Sequence, residues 1–329
     1  MDAFRTEVSA PEFNFSVDHN DHVFMVGSCF TENVGDRLRR KKFELCTNPF
    51  GIHFNPFSIM NSLERMLGNR PYQEADLVKS GEHWVSLDHH GRFNNRSIEE
   101  CLEGINKEMN LGRIALEKAN AVFVTLGSAW VYEYKETGHL VANCHKIPNH
   151  QFTKRILSFQ ETNLIFAQIP ELLNAHGIQA EVIFTVSPIR HWKDGPSQNQ
   201  RSKSTLISAV HNVVDQYDNC HYFPSYEMMM DDLRDYRFYK TDMLHPTEQA
   251  LDYVWMKFEE SFFSDETRII CKELLQVIQA SEHRPMDPES NSYQRFLRKQ
   301  LDLIDALESK YTHLDLSQER EAFSKYVLK

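Results

Sequence analysis

Apolar runs of six residues or fewer alternate along this chain with longer stretches in which apolar residues recur at helical spacing. Val23 to Phe30 reads Val-Phe-Met-Val-Gly-Ser-Cys-Phe: four apolar residues run into Gly27 and a Ser-Cys pair, and Phe30, Val34 and Leu38 follow on one helical face. The pattern predicts a buried strand, a tight turn and a helix. Phe43 to Thr47 reads as a second strand, ending in the loop Asn48-Pro49-Phe50-Gly51-Ile52-His53-Phe54-Asn55-Pro56. Helical periodicity covers about residues 57–67 and 97–118. Between them, residues 68–96 are polar and aromatic and read as an excursion over the loop face, too short to bury a core of their own.

Ala121–Leu126 and Glu181–Val186 are the plainest buried strands, and Val131–Tyr134 and His139–Ala142 flank Lys135 to Gly138 as a hairpin. A long helical region is expected between that hairpin and residue 181, then a helix over 198–216, a short strand at His221–Pro224 and helices over 225–233 and 247–262. Strands alternating with helices predict an α/β fold, a parallel sheet covered on both faces. Residues 1–22, polar and irregular, read as an extended arm across the core, so residues 1–262 form one domain. From residue 263 to 329 charged helix formers predict a C-terminal helical appendage. Leu297, Leu301, Ile304 and Leu307 form a stripe there that docks on the core or, as the alternative, joins a second copy in a homo-oligomer.

A formal charge of -11 over 329 residues argues against a nucleic-acid partner. The one dense basic run, Arg37 to Lys42, reads as a solvated helix end whose cations complement the dipole. No apolar run reaches membrane-spanning length and no signal-peptide pattern stands at the start, so no membrane span and a cytoplasmic location are expected. Six scattered cysteines without CxxC spacing are expected to be reduced.

Candidate chemistry gathers in the loops that follow strands, which in a parallel sheet converge on one rim. Ser28 and Cys29 stand beside the first free N–H groups of a helix, where a nucleophile is favoured. Far downstream, Thr241-Asp242-Met243-Leu244-His245-Pro246 supplies a carboxylate three residues before an imidazole, a base and its orienter from one turn. The Gly51 loop, Gly127-Ser128 and Ser187 to His191 join the same rim, and Arg190 and His191 either grip an anionic group or, for Arg190, pair with a nearby acid. His53, His89, His90, His145 and His191 raise a metal site as a rival reading, but no paired ligand spacing appears, and neither a metal nor a cofactor is expected. Trp130 and Tyr132 either pack or line a sugar site.

These motifs together resemble the GSCFA domain family, which is placed in the SGNH (GDSL-like) hydrolase superfamily. The likeness covers roughly residues 4–262. It rests on Gly27-Ser28-Cys29-Phe30, Asn48-Pro49-Phe50-Gly51, Leu126-Gly127-Ser128-Ala129-Trp130, Ala142-Asn143-Cys144-His145, Ser187-Pro188-Ile189-Arg190-His191 and Asp242-Met243-Leu244-His245-Pro246. The resemblance implies a flavodoxin-like three-layer α/β/α sandwich and deacylation of an ester, on a small molecule or a glycan, by a Ser28, His245, Asp242 triad. The backbone N–H groups of Ser28 and the Gly51 loop would hold the oxyanion. In the superfamily's Gly-Asp-Ser block the serine stands two places after the glycine, where Cys29 stands here, so Cys29 is the close variant. Ala129 takes the place of the usual oxyanion asparagine, which leaves Asn143, His145 or Asn55 as substitutes. An acyltransferase using the same groups, or a ligand-binding protein on a hydrolase fold, are the alternatives.

Overall fold

The computed structural model describes residues 5–328; residues 1–4 of the expected arm lie outside them. In chain order the elements are β1 (His22–Gly27), α1 (Cys29–Arg40), β2 (Glu44–Thr47), α2 (Pro56–Leu67), β3 (Leu77–Ser80), β4 (His83–Ser86), α3 (Ile98–Glu117), β5 (Ala121–Leu126), β6 (Trp130–Tyr134), β7 (His139–Val141) and β8 (Phe152–Ile156). There follow α4 (Phe159–Ala175), β9 (Glu181–Val186), α5 (Pro196–Val214), β10 (Cys220–Phe223) and the one-turn α6 (Ser225–Glu227), which runs into a π-helical turn over Met228–Asp232. Helices α7 (Glu248–Phe262), α8 (Asp265–Glu282), α9 (Asn291–Lys310) and α10 (Ser317–Ser324) close the chain.

Five parallel strands form the central sheet in the order β10-β9-β5-β1-β2. Side chains alternate across a strand, and in β1 this splits the apolar run between two cores. Phe24 and Val26 pack with Ile59, Leu63, Ile105, Phe166 and Leu206 on one face. Val23 and Met25 pack with Phe30, Leu38, Val254 and Phe262 on the other. Helices thus cover both faces, the three-layer α/β/α arrangement expected. Renumbered along the sheet, the order is the flavodoxin-like 2-1-3-4-5, which reverses direction between β1 and β5.

The segment after β2 contains the β3–β4 hairpin, and β8 pairs antiparallel with β6 where a helical region was expected. These two insertions complete each other. Val78 and Leu87 pack on Tyr134, Val141, Ile147 and Phe152, while Leu87 O accepts from Ala142 N at 2.8 Å and Asn143 N at 3.1 Å. The excursion therefore has a small core, but one it shares with β6–β8.

The arm crosses the α7 face: Val17 N donates to Phe262 O at 2.7 Å, and Phe13 stacks on the Phe262 ring with centroids 5.1 Å apart. Arg37 to Lys42 is corrected from a solvated end to a paired one. Arg37 meets Asp252 at 2.7 Å, Arg40 meets Glu282 at 2.6 Å, Lys41 meets Glu259 at 3.0 Å and Lys42 meets Glu319 at 2.8 Å, so the run faces α7, α8 and the start of α10. In α9, Leu297, Ile304 and Leu307 are buried against Ile270, Leu274 and Phe323 of α8 and α10. No helix among the described residues is long and apolar enough to cross a membrane. All six cysteines are free.

Candidate active site

In doubly wound sheets ligands bind beyond the carboxyl ends of the strands where the order reverses, here β1 and β5. Gly27 closes β1 at φ 141°, and a Cβ there would overlap Thr125 O. The close approach lets Ser28 N donate to Thr125 O at 3.1 Å. Ser28 is the N-cap of α1, its Oγ accepting from Phe30 N at 3.4 Å, and the residue is 1% exposed. Cys29, the first residue of α1, is half-buried. Burial pushes its thiol above the ordinary range, while the N–H groups of Cys29 and Phe30 and the Lys203 ammonium pull the other way.

Asn48 to Gly51 is a β-turn with Pro at its second position, Gly51 N donating to Asn48 O at 2.7 Å. Gly51 sits at φ 82° against His90, where no side chain fits. His53 N donates to Gly27 O at 2.9 Å. Phe54 O accepts from both Gly127 N, at 2.9 Å, and Ser128 N, at 2.8 Å. Ser28, Gly51, Gly127 and Ser128 are thus brought to one rim, but their N–H groups are spent within the chain, which corrects the expectation that Ser28 and the Gly51 loop hold an oxyanion by those bonds. Asn55 Oδ1 caps α2 through Ser58 N at 2.9 Å. The Cys29 N–H, first in its helix, is left without an acceptor among the described residues.

Asp242 and His245 form a built pair. His245 Nδ1 lies 2.6 Å from Asp242 Oδ2, and Asp242 Oδ1 accepts from Leu244 N at 2.9 Å and His245 N at 3.0 Å. These N–H groups and the imidazole hold the Asp242 carboxyl down at about 2. The loop is closed by Lys240 N donating to His245 O at 2.7 Å and by Met243 at φ 60°. His245 makes no hydrogen bond with Ser28 or Cys29, but it is near enough to His191 that its positive form disfavours charge on that imidazole.

Lys203, in α5, is a group the sequence reading passed over. It is 1% exposed, and its Nζ donates to Gly127 O at 2.9 Å and Ser187 O at 2.7 Å, tying the loops after β5 and β9. Burial lowers its pKa to about 7, with the Cys29 side chain opposing and Arg190 reinforcing the shift. The signal was present: Lys203 is in phase with Leu206, Val210 and Val213, the buried face of α5. Arg190 and His191 follow β9 at the same rim. Burial, then the charges of Lys203 and His245, lower His191 to about 4, and its ring meets Phe54 edge-on at 5.4 Å between centroids. Arg190 stands over the Trp192 ring with its Nε unpartnered and forms no ion pair among the described residues, so of its two expected roles the pairing one has no partner there.

Asn143 and His145 lie with the insertions. Asn143 Oδ1 accepts from His145 N at 3.0 Å, and His145 Nε2 lies 2.7 Å from Ser86 O. His53 and His89 are buried neutral, His53 lowered to about 4, with His53 Nε2 3.0 Å from Asp88 O and His89 stacked on Phe50 at 4.4 Å. No three His, Cys, Asp or Glu side chains among the described residues are grouped to hold a metal ion. Trp130 carries the Lys154 ammonium 4.6 Å from its ring centre, half-buried at the edge of the insertion.

The family model described as GSCFA family matches residues 22–258, from the first residue of β1 into α7. The chain belongs to the GSCFA family. A second model, described as GSCFA domain protein, C-terminal domain, matches residues 274–328, from the middle of α8 past the end of α10. No curated protein matches the chain. Within the GSCFA match, the Gly-Ser-Cys-Phe stretch is the β1–α1 elbow itself, and Asp242 and His245 fall inside the same matched span.

Proposed function

We propose that this GSCFA protein is an ester hydrolase of the SGNH type, with a nucleophile from the β1–α1 elbow, His245 as general base and Asp242 as its orienter. The observation that carries the reading is the Asp242–His245 pair, Nδ1 to Oδ2 2.6 Å, with the carboxylate fixed by two backbone N–H groups. A carboxylate so fixed selects the tautomer with Nε2 free to take a proton. Of the two elbow groups, Cys29 is favoured. Ser28 Oγ is enclosed and caps α1, whereas Cys29 is the less buried of the two residues, and the N–H groups of Cys29 and Phe30 and the nearby Lys203 oppose the upward push that burial gives its thiol.

In this reading the thiol proton passes to His245 Nε2 as sulfur attacks the acyl carbon. The Cys29 N–H supports the developing oxyanion. The bond to the alcohol oxygen then breaks, His245 returns the proton to that oxygen, and water repeats the sequence on the acyl-enzyme. Since His245 makes no hydrogen bond to Ser28 or Cys29, this reading requires the Asp242–His245 turn to move onto the elbow when substrate binds, as catalytic bonds that tighten only in the complex do.

Turnover of p-nitrophenyl acetate tests it. His245→Gln is expected to lower kcat/KM by about a hundredfold or more, and Cys29→Ala to abolish burst acylation that Ser28→Ala retains. Loss in Ser28→Ala with Cys29→Ala active, folding being checked by circular dichroism because the N-cap is worth ~1 kcal/mol, returns the role to Ser28. Absence of turnover on short acyl esters, or turnover indifferent to His245→Gln, removes the hydrolase reading and leaves a binding protein.

A further inference from the structure

Three polar atoms at the β9–α5 loop and the first turn of α5 are buried without a partner among the described residues: Arg190 Nε, His191 Nε2 and Asn199 Nδ2. Asn199 is 2% exposed, and its Oδ1 is already held by His191 N at 2.9 Å, which fixes the orientation of the amide and leaves its Nδ2 without an acceptor among the described residues. Buried donors in native proteins are almost always satisfied, so such a group points to something that is absent from the chain itself. Beneath the loop, the Lys203 ammonium bonds only to carbonyl oxygens. The acid that acts on it, Glu227, is engaged by Tyr222 Oη at 2.9 and 3.0 Å.

Arg190, a fixed cation, and Lys203, whose ammonium form burial disfavours, thus stand near one another without an ion-pairing carboxylate, while in this chain of net charge -11 Arg37, Arg40 and Lys42 at the end of α1 are ion-paired. A neutral alkyl ester would leave the donors as they are; an anion would satisfy them and offset both charges. The guanidinium also lies 5.7 Å from the Trp192 ring centre, an aromatic wall on the same loop.

We propose that the β9–α5 loop is an anion subsite: a carboxylate or phosphate group binds at Arg190 and Asn199, over the positive field of Lys203, and the ester turned over next door carries that group. The word ester rests on the hydrolase reading above; the anion subsite does not. A substrate would reach from the subsite to the elbow, so its acyl or alcohol part bears the charge a few bonds from the scissile carbonyl.

Isothermal titration of the full chain with succinate and, separately, inorganic phosphate at low ionic strength decides it. One of the two is expected to bind with 1:1 stoichiometry, which also says which anion the site prefers. Arg190→Gln should weaken binding at least about tenfold, and Asn199→Asp, which puts a carboxylate among the donors, should abolish it. Arg298→Gln on α9 should leave it unchanged. Among substrates, the kcat/KM ratio of mono-p-nitrophenyl succinate over p-nitrophenyl acetate should fall at least about tenfold in Arg190→Gln. No binding of either anion, or binding indifferent to both Arg190→Gln and Asn199→Asp, overturns the proposal. Anion binding without turnover of any ester keeps the subsite and overturns the hydrolase reading instead.

Discussion

Gly27 shows how much one residue decides here. Its φ of 141° and the overlap any Cβ would have with Thr125 O mean that the elbow exists only because this position lacks a side chain. Gly27→Ala is expected to cost on the order of 3 kcal/mol, seen as a fall in the urea unfolding midpoint, whereas Gly138→Ala, with open space around it and only the strain of its positive φ, should cost about 1–2 kcal/mol. The glycine, the Ser-Cys pair and the Asp242–His245 spacing were all legible in the sequence because each is a local signal. Lys203 carried only a weak signal, its phase with Leu206, Val210 and Val213, which the polar Arg201-Ser-Lys-Ser-Thr stretch around it masks. The spent N–H groups of Ser28 and Gly51 were not legible: their acceptors, Thr125 O and Asn48 O, depend on how loops approach one another, which spacing does not encode.

At the scale of elements, the buried strands β1, β5 and β9 were readable as apolar runs, and the β6–β7 hairpin from Gly138, which takes φ 71° at its turn. β8 was missed because Phe-Thr-Lys-Arg-Ile is half-buried, its cations pairing with Asp194 and Glu161, so it lacks the run that marks a central strand. The β3–β4 hairpin did carry a signal, Gly81 at φ 60° between two short β-rich pairs, that polar surroundings hid. The α9 stripe finds its partners within its own chain, in α8 and α10. Ile304→Ala, at a fully buried position, is accordingly expected to cost about 2–5 kcal/mol and to raise hydrogen exchange in α8–α10 first. Exchange rising equally through β1 and β5 would mean that the two units unfold as one.

For the whole molecule, buried titratable groups set the response to acid. His19, His53, His89, His145 and His191 are all held below their ordinary range, chiefly by burial. A base whose folded pKa is depressed takes up its proton on unfolding, so its contribution is present above about pH 6.5 and is lost as pH falls toward about 4, at up to about 1.4 kcal/mol per pH unit for each group. Asp21, Asp88 and Glu227, raised by burial, work in the opposite direction, but they are three against five. The urea midpoint is therefore expected to drop between pH 7 and pH 5, and a midpoint that rises over that interval would refute the buried neutral imidazoles. A different consequence follows from Phe54. Its single carbonyl carries the amides of both Gly127 and Ser128 while its ring abuts His191, so one residue is the hinge pin shared by the loops after β2, β5 and β9. An occupant that displaces the loop after β9 therefore bears on the residue that pins the loops after β2 and β5, and the anion subsite has a mechanical lever on both.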